Sequence, residues 1–302
     1  MATQPQIKEN LSYKKDILLK STSDAQLHEH EYLFQRTLFN PQGKVTLEEH
    51  YDNKGELVQK YVYEYDSNGY LREEMLVEAD EFVAEHKSFE RDDKGKIIKE
   101  LRHYMDGSAD TMEYTYDEGG RLIRKTLLDP DGEVENHEEF EWEGDLLVLH
   151  RIFDNEGELI NEEKKVYDTK GQALEVILFN AMENLYTRTV NEYYESGNKK
   201  EVLVYNQADQ LIEKILLQED QSGNIMQVTE ETRHKKNVIN FEYDASGNVT
   251  FQEEFDKNGE LVGQVKRKYN ENNMLESSDV FIDGGGRGMS RSYHIRQEYL
   301  YF

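Results

Sequence analysis

Residues 51–71 read YDNKGELVQKYVYEYDSNGYL, one short strand held between two copies of the same turn. Each copy runs Tyr-Asp-x-x-Gly-x-Leu, from Tyr51 and again from Tyr65. Asp hydrogen-bonds its own backbone, and Gly supplies a positive φ without a Cβ clash, so the pair marks a tight turn. The turn returns as YDEGGRL from Tyr116, FDNEGEL from Phe153, YDTKGQA from Tyr167, YDASGNV from Tyr243 and FDKNGEL from Phe255. The turn glycines, or Glu81, Glu183, Asp209, Lys235 and Asn273 in their place, are mostly 12 or 14 residues apart. Two gaps make one hairpin of about 26 residues, and a fixed period of that size is the signature of a repeat array.

A gap less its turn leaves a strand of about eight residues, and short evenly spaced strands are an all-β pattern. Short turns join antiparallel neighbours. Pro41 and Pro130 sit in the turns FNPQG and LDPDG, where a missing N–H costs no ladder bond. Alternation from Gly55 puts Leu57, Gln59, Tyr61 and Tyr63 on one face. From Gly69 the same face takes Leu71, Glu73, Met75 and Val77. The expected fold is therefore a long antiparallel β-meander of about twenty short strands, with one aromatic and aliphatic face and one charged face. Strands about 4.8 Å apart make a ribbon roughly 95 Å long, which must curl or fold over itself. A closed barrel is disfavoured on this reasoning, because tyrosines would not fill so wide a lumen. Residues 1–30 read as an N-terminal cap and residues 31–302 as the continuous array. IDGGGRGMS, from Ile282, is the most flexible-looking segment, and YHIRQEYLYF reads as a closing strand.

The chain has 63 acidic against 36 basic residues, a net charge of −27. Such a field repels nucleic acid and anionic membranes and favours a cationic partner. There is no cysteine, so neither a disulfide framework nor a thiolate metal site exists. The start, MATQPQIKENLSYKK, has no apolar h-region, and no run of 18 apolar residues occurs. The final EYLYF alternates loosely, as outer-membrane strands can, but reads as a soluble strand. These readings place the protein in the cytoplasm.

At its YD…G turns the chain resembles the YD-repeat, or Rhs-type, family over about residues 30–290. That resemblance implies tyrosine-aspartate hairpins forming β-sheet strips, which in large Rhs toxins wind into hollow shells. This chain is far shorter than such a shell and lacks the core-end motif; DPDG at Asp129–Gly132 reads as an ordinary turn. It is more distantly similar to MORN-like hairpin repeats, including YwqK-type antitoxins.

No G-x-S-x-G, H-E-x-x-H or P-loop is present, and the expectation is a non-enzymatic protein with no cofactor and no metal. The turns beginning at Asp52, Asp129, Asp154 and Asp256 resemble the opening of a calcium loop, but Asx-turn chemistry accounts for them. His28 and His30 share a strand face without an evident third ligand. A mid-strand polar position (Glu49, Gln59, Glu73, Lys99, Glu213, Glu253) on the packed face suggests an acidic-aromatic groove or a sheet wet on both sides. Candidate partner-binding residues are Glu49, Tyr61, Tyr63, Glu73, Trp142, Glu213 and Glu253. The leading expectation is a protein-binding module for a basic partner, of immunity or antitoxin type or an accessory subunit. A self-assembling scaffold is the alternative, and a carbohydrate-binding or hydrolytic protein using Tyr and carboxylates is the third reading.

Overall fold

The computed structural model describes residues 6–17, 30–284 and 290–302. Strands fall between the turns as their spacing predicts. β1 (Ile7–Ile17), β2 (Glu31–Phe39), β3 (Val45–Tyr51), β4 (Leu57–Tyr65), β5 (Leu71–Glu78) and β6 (Val83–Arg91) come first. β7 (Ile97–His103), β8 (Ala109–Tyr116), β9 (Leu122–Leu128), β10 (Val134–Glu143), β11 (Leu146–Asp154) and β12 (Leu159–Tyr167) continue the series. β13 (Ala173–Asn180), β14 (Leu185–Tyr193), β15 (Lys199–Asn206), β16 (Leu211–Glu219) and β17 (Ile225–Thr232) follow. The last are β18 (Lys236–Tyr243), β19 (Val249–Phe255), β20 (Leu261–Tyr269), β21 (Leu275–Ile282) and β22 (Arg291–Tyr301).

Each strand pairs antiparallel with the next, and β22 pairs with β1, so 22 strands form one closed barrel. The expected open, curled meander is thereby corrected. The physical reason lies at the two ends of the chain. An open sheet leaves a row of unpaired N–H and C=O groups on each edge strand. Here β1 and β22 are the longest strands, at 11 residues each, and they satisfy one another. Side chains fasten the seam: Ser12 Oγ donates to Gln297 Oε1 at 2.6 Å, and Arg296 Nη2 donates to Glu31 Oε2 at 2.9 Å.

Closure does not depend on a packed lumen, because few apolar side chains are buried on either face. Among the described residues only Val77, Leu149 and Val202 are buried apolar side chains, and none is wholly enclosed. The accessible surface is 19664 Å², against about 13,000 Å² for a compact chain of this mass. Both faces are wetted, so stability resides in the ladder, the turns and cross-strand pairs rather than in a central core.

The turn chemistry is as read. At 66–70, Asp66 N–H donates to Tyr70 O at 2.8 Å and Gly69 N–H to Asp66 O at 2.9 Å. Asp66 Oδ1 accepts from the Asn68 and Tyr70 N–H groups at 2.9 and 2.8 Å. Gly69 has φ 81°. This is a type I turn followed by a left-handed residue and a bulge. Glu81, Asp209 and Asn273 take the left-handed position as expected. In the 181–184 turn that position belongs to Asn184 rather than Glu183. The Lys235 turn closes differently, with Thr232 N–H donating to Lys235 O at 2.8 Å.

The bulge also corrects the two-face expectation. Tyr65 pairs with Leu71, but Glu64 pairs with Glu73, so Arg72 is the extra residue and the alternation slips by one. Leu71 therefore does not share a face with Glu73. The register traces Tyr61, Tyr63 and Tyr65 to a first face and Glu49, Glu73 and Val77 to a second. Charged residues occupy the middle of both faces: Glu74, Lys87 and Glu100 on the first, Lys60, Glu73 and Lys99 on the second. Neither is an apolar band of the kind lipid-facing strands present.

Candidate functional site: two unlike rims

Because strands alternate in direction, the turns divide between the two ends of the barrel. Turns leaving even-numbered strands form one rim, and turns leaving odd-numbered strands form the other.

The first may be called the tyrosine rim. Tyr65 at the end of β4 donates its phenol O–H to Val45 O, the first residue of β3, at 2.7 Å. Tyr116, Tyr167, Tyr193 and Tyr243 repeat the bond, to Ile97, Leu147, Ala173 and Ile225, each at 2.8 Å. Tyr269 reaches Val249 O at 3.2 Å and Tyr299 reaches Leu275 O at 2.8 Å. At two of the positions that lack tyrosine, another donor stands in. Trp142 Nε1–H donates to Leu122 O at 2.8 Å, and Arg91 Nη2 to Leu71 O at 3.3 Å. The repeated tyrosine thus caps a carbonyl at the start of a neighbouring strand. Burial pushes the phenols of Tyr65, Tyr116, Tyr193, Tyr243 and Tyr299 above their ordinary range. Neighbouring turns also touch. Lys44 Nζ and Lys96 Nζ donate to the carbonyls of Gly69 and Gly120, and Asn198 Nδ2 to Gly223 O at 2.7 Å. Every hairpin on this rim carries the register shift.

The second rim is variable. Among its hairpins, those joining β7–β8, β13–β14, β17–β18 and β21–β22 show no register shift. A Cβ added at Gly55, Gly107, Gly132, Gly157 or Gly259 would meet nothing, as at Gly43, Gly144 and Gly247 of the tyrosine rim, whereas the other six turn glycines of that rim would meet a neighbouring side chain. Their tips hold exposed apolar side chains: Met105 is 84% and Met182 83% exposed, with Phe82, Tyr104, Leu185 and Leu211 also outward. Beside Met182 lies a 390 Å³ hollow lined largely by Leu178, Phe179 and Leu185. Most tips are acidic, as in DPDGE at 129–133 and DNEGE at 154–158. The turn TRHKK at 232–236 is basic and fully exposed. Lys236 pairs with Glu231 at 3.2 Å, whereas Arg233 and Lys235 have no ion pair.

The residues singled out by sequence are spread around the ring. Glu49, on β3, accepts from Arg36 Nη1 at 3.1 Å and Tyr51 OH at 2.8 Å. Glu73, on β5, meets His86 at 3.2 Å and Arg72 at 3.3 Å. Glu253, on β19, accepts from Asn240 Nδ2 at 3.3 Å. These three lie on the second face. Tyr61, which accepts from Gln59 Nε2 at 3.2 Å, Tyr63 and Glu213 lie on the first. Trp142 occupies a capping position on the tyrosine rim. The barrel does not gather these seven into one site. The exposed tips of the variable rim escaped sequence reasoning, although each marks a departure from Asp-x-x-Gly.

In the calcium-like turns, one oxygen of the leading aspartate is already engaged. Oδ1 of Asp52 accepts two backbone N–H groups at 2.8 and 2.9 Å, and Asp129 does so at 3.0 and 2.8 Å. No group of three or more potential metal ligands occurs among the described residues. His28 lies outside them, as do Gly285 and the centre of the IDGGGRGMS segment.

No family model matches the chain, and no curated protein does. Solved structures do. A chain of the TcdB2-TccC3-Cdc42 crystal structure matches 97% of this chain at 15% identity and TM-score 0.45. A porin-like protein from Bacteroides uniformis matches 97% at 12% identity and TM-score 0.31, over 96% of its own length. The Tc holotoxin pore of Photorhabdus luminescens matches 85% at 9% identity and TM-score 0.25. The chain spans only 18% of the TcdB2-TccC3-Cdc42 chain and 19% of the pore chain. Two expectations are corrected here. The antitoxin expectation is withdrawn: none of these matches is named as an antitoxin. The cytoplasmic reading falls with it. It leaned on the lack of an apolar helical span, which says nothing of strands that close into a barrel.

Proposed function

We propose that this protein is a non-catalytic scaffold barrel that associates with other protein chains through its variable rim. The observation that carries the reading is closure itself. Once β1 and β22 pair, no sheet edge is left for strand addition, so association must use a face or a rim. One rim is tied turn to turn, whereas the other presents Met105, Met182, Leu185 and Leu211 to solvent. Met182 and Leu185 share one turn, and Leu211 flanks the next turn of that rim, so the exposed apolar groups there form the candidate contact. The capping tyrosines and Asx turns support reading the repeat as of the YD type. Light scattering on the purified chain tests the proposal. Concentration-dependent assembly, lost in Met105→Ser/Met182→Ser, is expected. A chain that stays single at every concentration and captures no protein would remove the scaffold reading.

A second reading has its own support. The net charge of −27 favours a cationic protein partner. Calorimetry with poly-lysine at low and high salt tests it, and binding that ignores salt would exclude it.

A further inference from the structure

The order of turns on the variable rim has a symmetry that composition alone does not reveal. Five successive turns join β9–β10, β11–β12, β13–β14, β15–β16 and β17–β18. The first is the acidic DPDGE at 129–133, and the last is the basic TRHKK at 232–236. Midway between them stands the apolar tip of Met182, 83% exposed, with Leu185 at its base, 51% exposed. Acid and base are therefore two turns away from the same apolar point, in opposite directions around the ring.

That arrangement is self-complementary. A two-fold axis through the 181–184 turn would set Met182 against its own copy. The same rotation would carry the basic turn of one chain onto the acidic turn of the other, twice. Isologous pairing requires a patch of this kind, in which residue i meets j and j meets i. Resting on the scaffold reading above, we propose that the variable rim docks a second copy of this chain. Met182 and Leu185 form the centre of that interface, and the 232–236 turn faces the 129–133 turn of the partner. The charges needed are on hand. Arg233 and Lys235 have no ion pair, and Asp131 and Glu133 are exposed and also unpaired. In a chain of net charge −27, two copies repel at long range. The basic turn adds a local attraction against that repulsion wherever it meets an acidic tip.

The chain has no cysteine, so Met182→Cys introduces a single thiol. Native mass spectrometry and light scattering on the full chain should give twice the 35.6 kDa of one copy. Met182→Cys should form a disulfide-linked dimer under mild oxidation. Arg233→Glu/Lys235→Glu should weaken the dimer at least about tenfold, as should Asp131→Lys/Glu133→Lys. Combining all four substitutions should restore it, which separates a broken contact from a misfolded chain. A dimer that survives both charge reversals and is not trapped by Met182→Cys overturns this pairing and leaves the scaffold reading standing. A chain that is single at all concentrations overturns both. A single chain that binds poly-lysine puts a cationic protein in place of the second copy.

Discussion

The two rims are built from one repeat and use it differently. On the tyrosine rim every hairpin carries its bulge, and from most even-numbered strands an indole, a guanidinium or a phenol caps the neighbouring strand. On the variable rim the residues before the turns include Tyr51, Val77, His103, Leu128, Phe153, Tyr205 and Phe255, and no such belt forms. The difference is one of side and reach. Residues ahead of the tyrosine-rim turns lie on the first face, within reach of a carbonyl at the start of the adjacent strand. Those ahead of the other turns lie on the second face. A rim joined by specific bonds tolerates little change, and a rim whose turns stand apart can vary its tips. Binding residues concentrate on loops held by a rigid scaffold for that reason.

The sharpest way to break this contrast is at glycine. Gly95 and Gly132 have the same φ, 83°, but a Cβ at Gly95 would lie 2.5 Å from the Tyr70 ring and one at Gly132 would meet nothing. Gly95→Ala should cost about 2–4 kcal/mol, strain plus displacement of the ring. Gly132→Ala should cost about 1–2 kcal/mol from strain alone. Urea unfolding of both variants measures the gap, and equal losses would mean the rims are equally constrained.

A smaller effect follows from the caps. Tyr116→Phe leaves the Ile97 carbonyl without its phenol and should lose about 1 kcal/mol. Phe153→Tyr on the variable rim adds a hydroxyl where no belt exists, and it should shift stability by less than about 0.5 kcal/mol. Thermal melts of the two variants compare the rims directly.

High pH should separate the rims further. Burial raises the phenols of Tyr65, Tyr116, Tyr193, Tyr243 and Tyr299. A group raised in the folded state contributes stability that is present below its ordinary value, about 10, and is lost as pH climbs through the folded value. At the described turns of the variable rim only Tyr51 and Tyr104 have raised phenols, so alkaline unfolding should start at the tyrosine rim, with absorbance of ionised tyrosine and circular dichroism changing together.

The gentlest effect belongs to acid. Backbone N–H donors lower the carboxyls of Asp52 and Asp256 on the variable rim and of Asp117 and Asp220 on the tyrosine rim. A depressed carboxyl contributes above its unfolded value, about 4, and loses that contribution as pH falls through the folded one. Melting temperature should decline below about pH 4 on both rims alike. A decline confined to one rim, read by hydrogen exchange, would mean the turns are not equivalent.

Much of this was legible in the chain. The turn sites, strand lengths and antiparallel order all follow from Asp, Gly and a spacing of 12 or 14 residues. The alternation was legible only within a strand. Extrapolating it across Gly69 placed Glu73 with Tyr63, because the extra residue Arg72 leaves no mark in the hydrophobic pattern. The candidate residues inherited that error, and Trp142, picked for its size, proved to be a cap. The tips at Met105, Met182 and Arg233 are visible in sequence only as failures of the motif.

Local chemistry, then, determined the units: an Asx turn needs its aspartate and a left-handed residue, and both are written in the sequence. What the sequence could not decide was closure. Whether β1 meets β22 depends on twist and bend summed over 22 strands and 10 well-formed tyrosine-rim bulges, each too small to read from composition. Only the tertiary structure shows that the sum returns the last strand to the first. The same closure removed both sheet edges as places for strand addition.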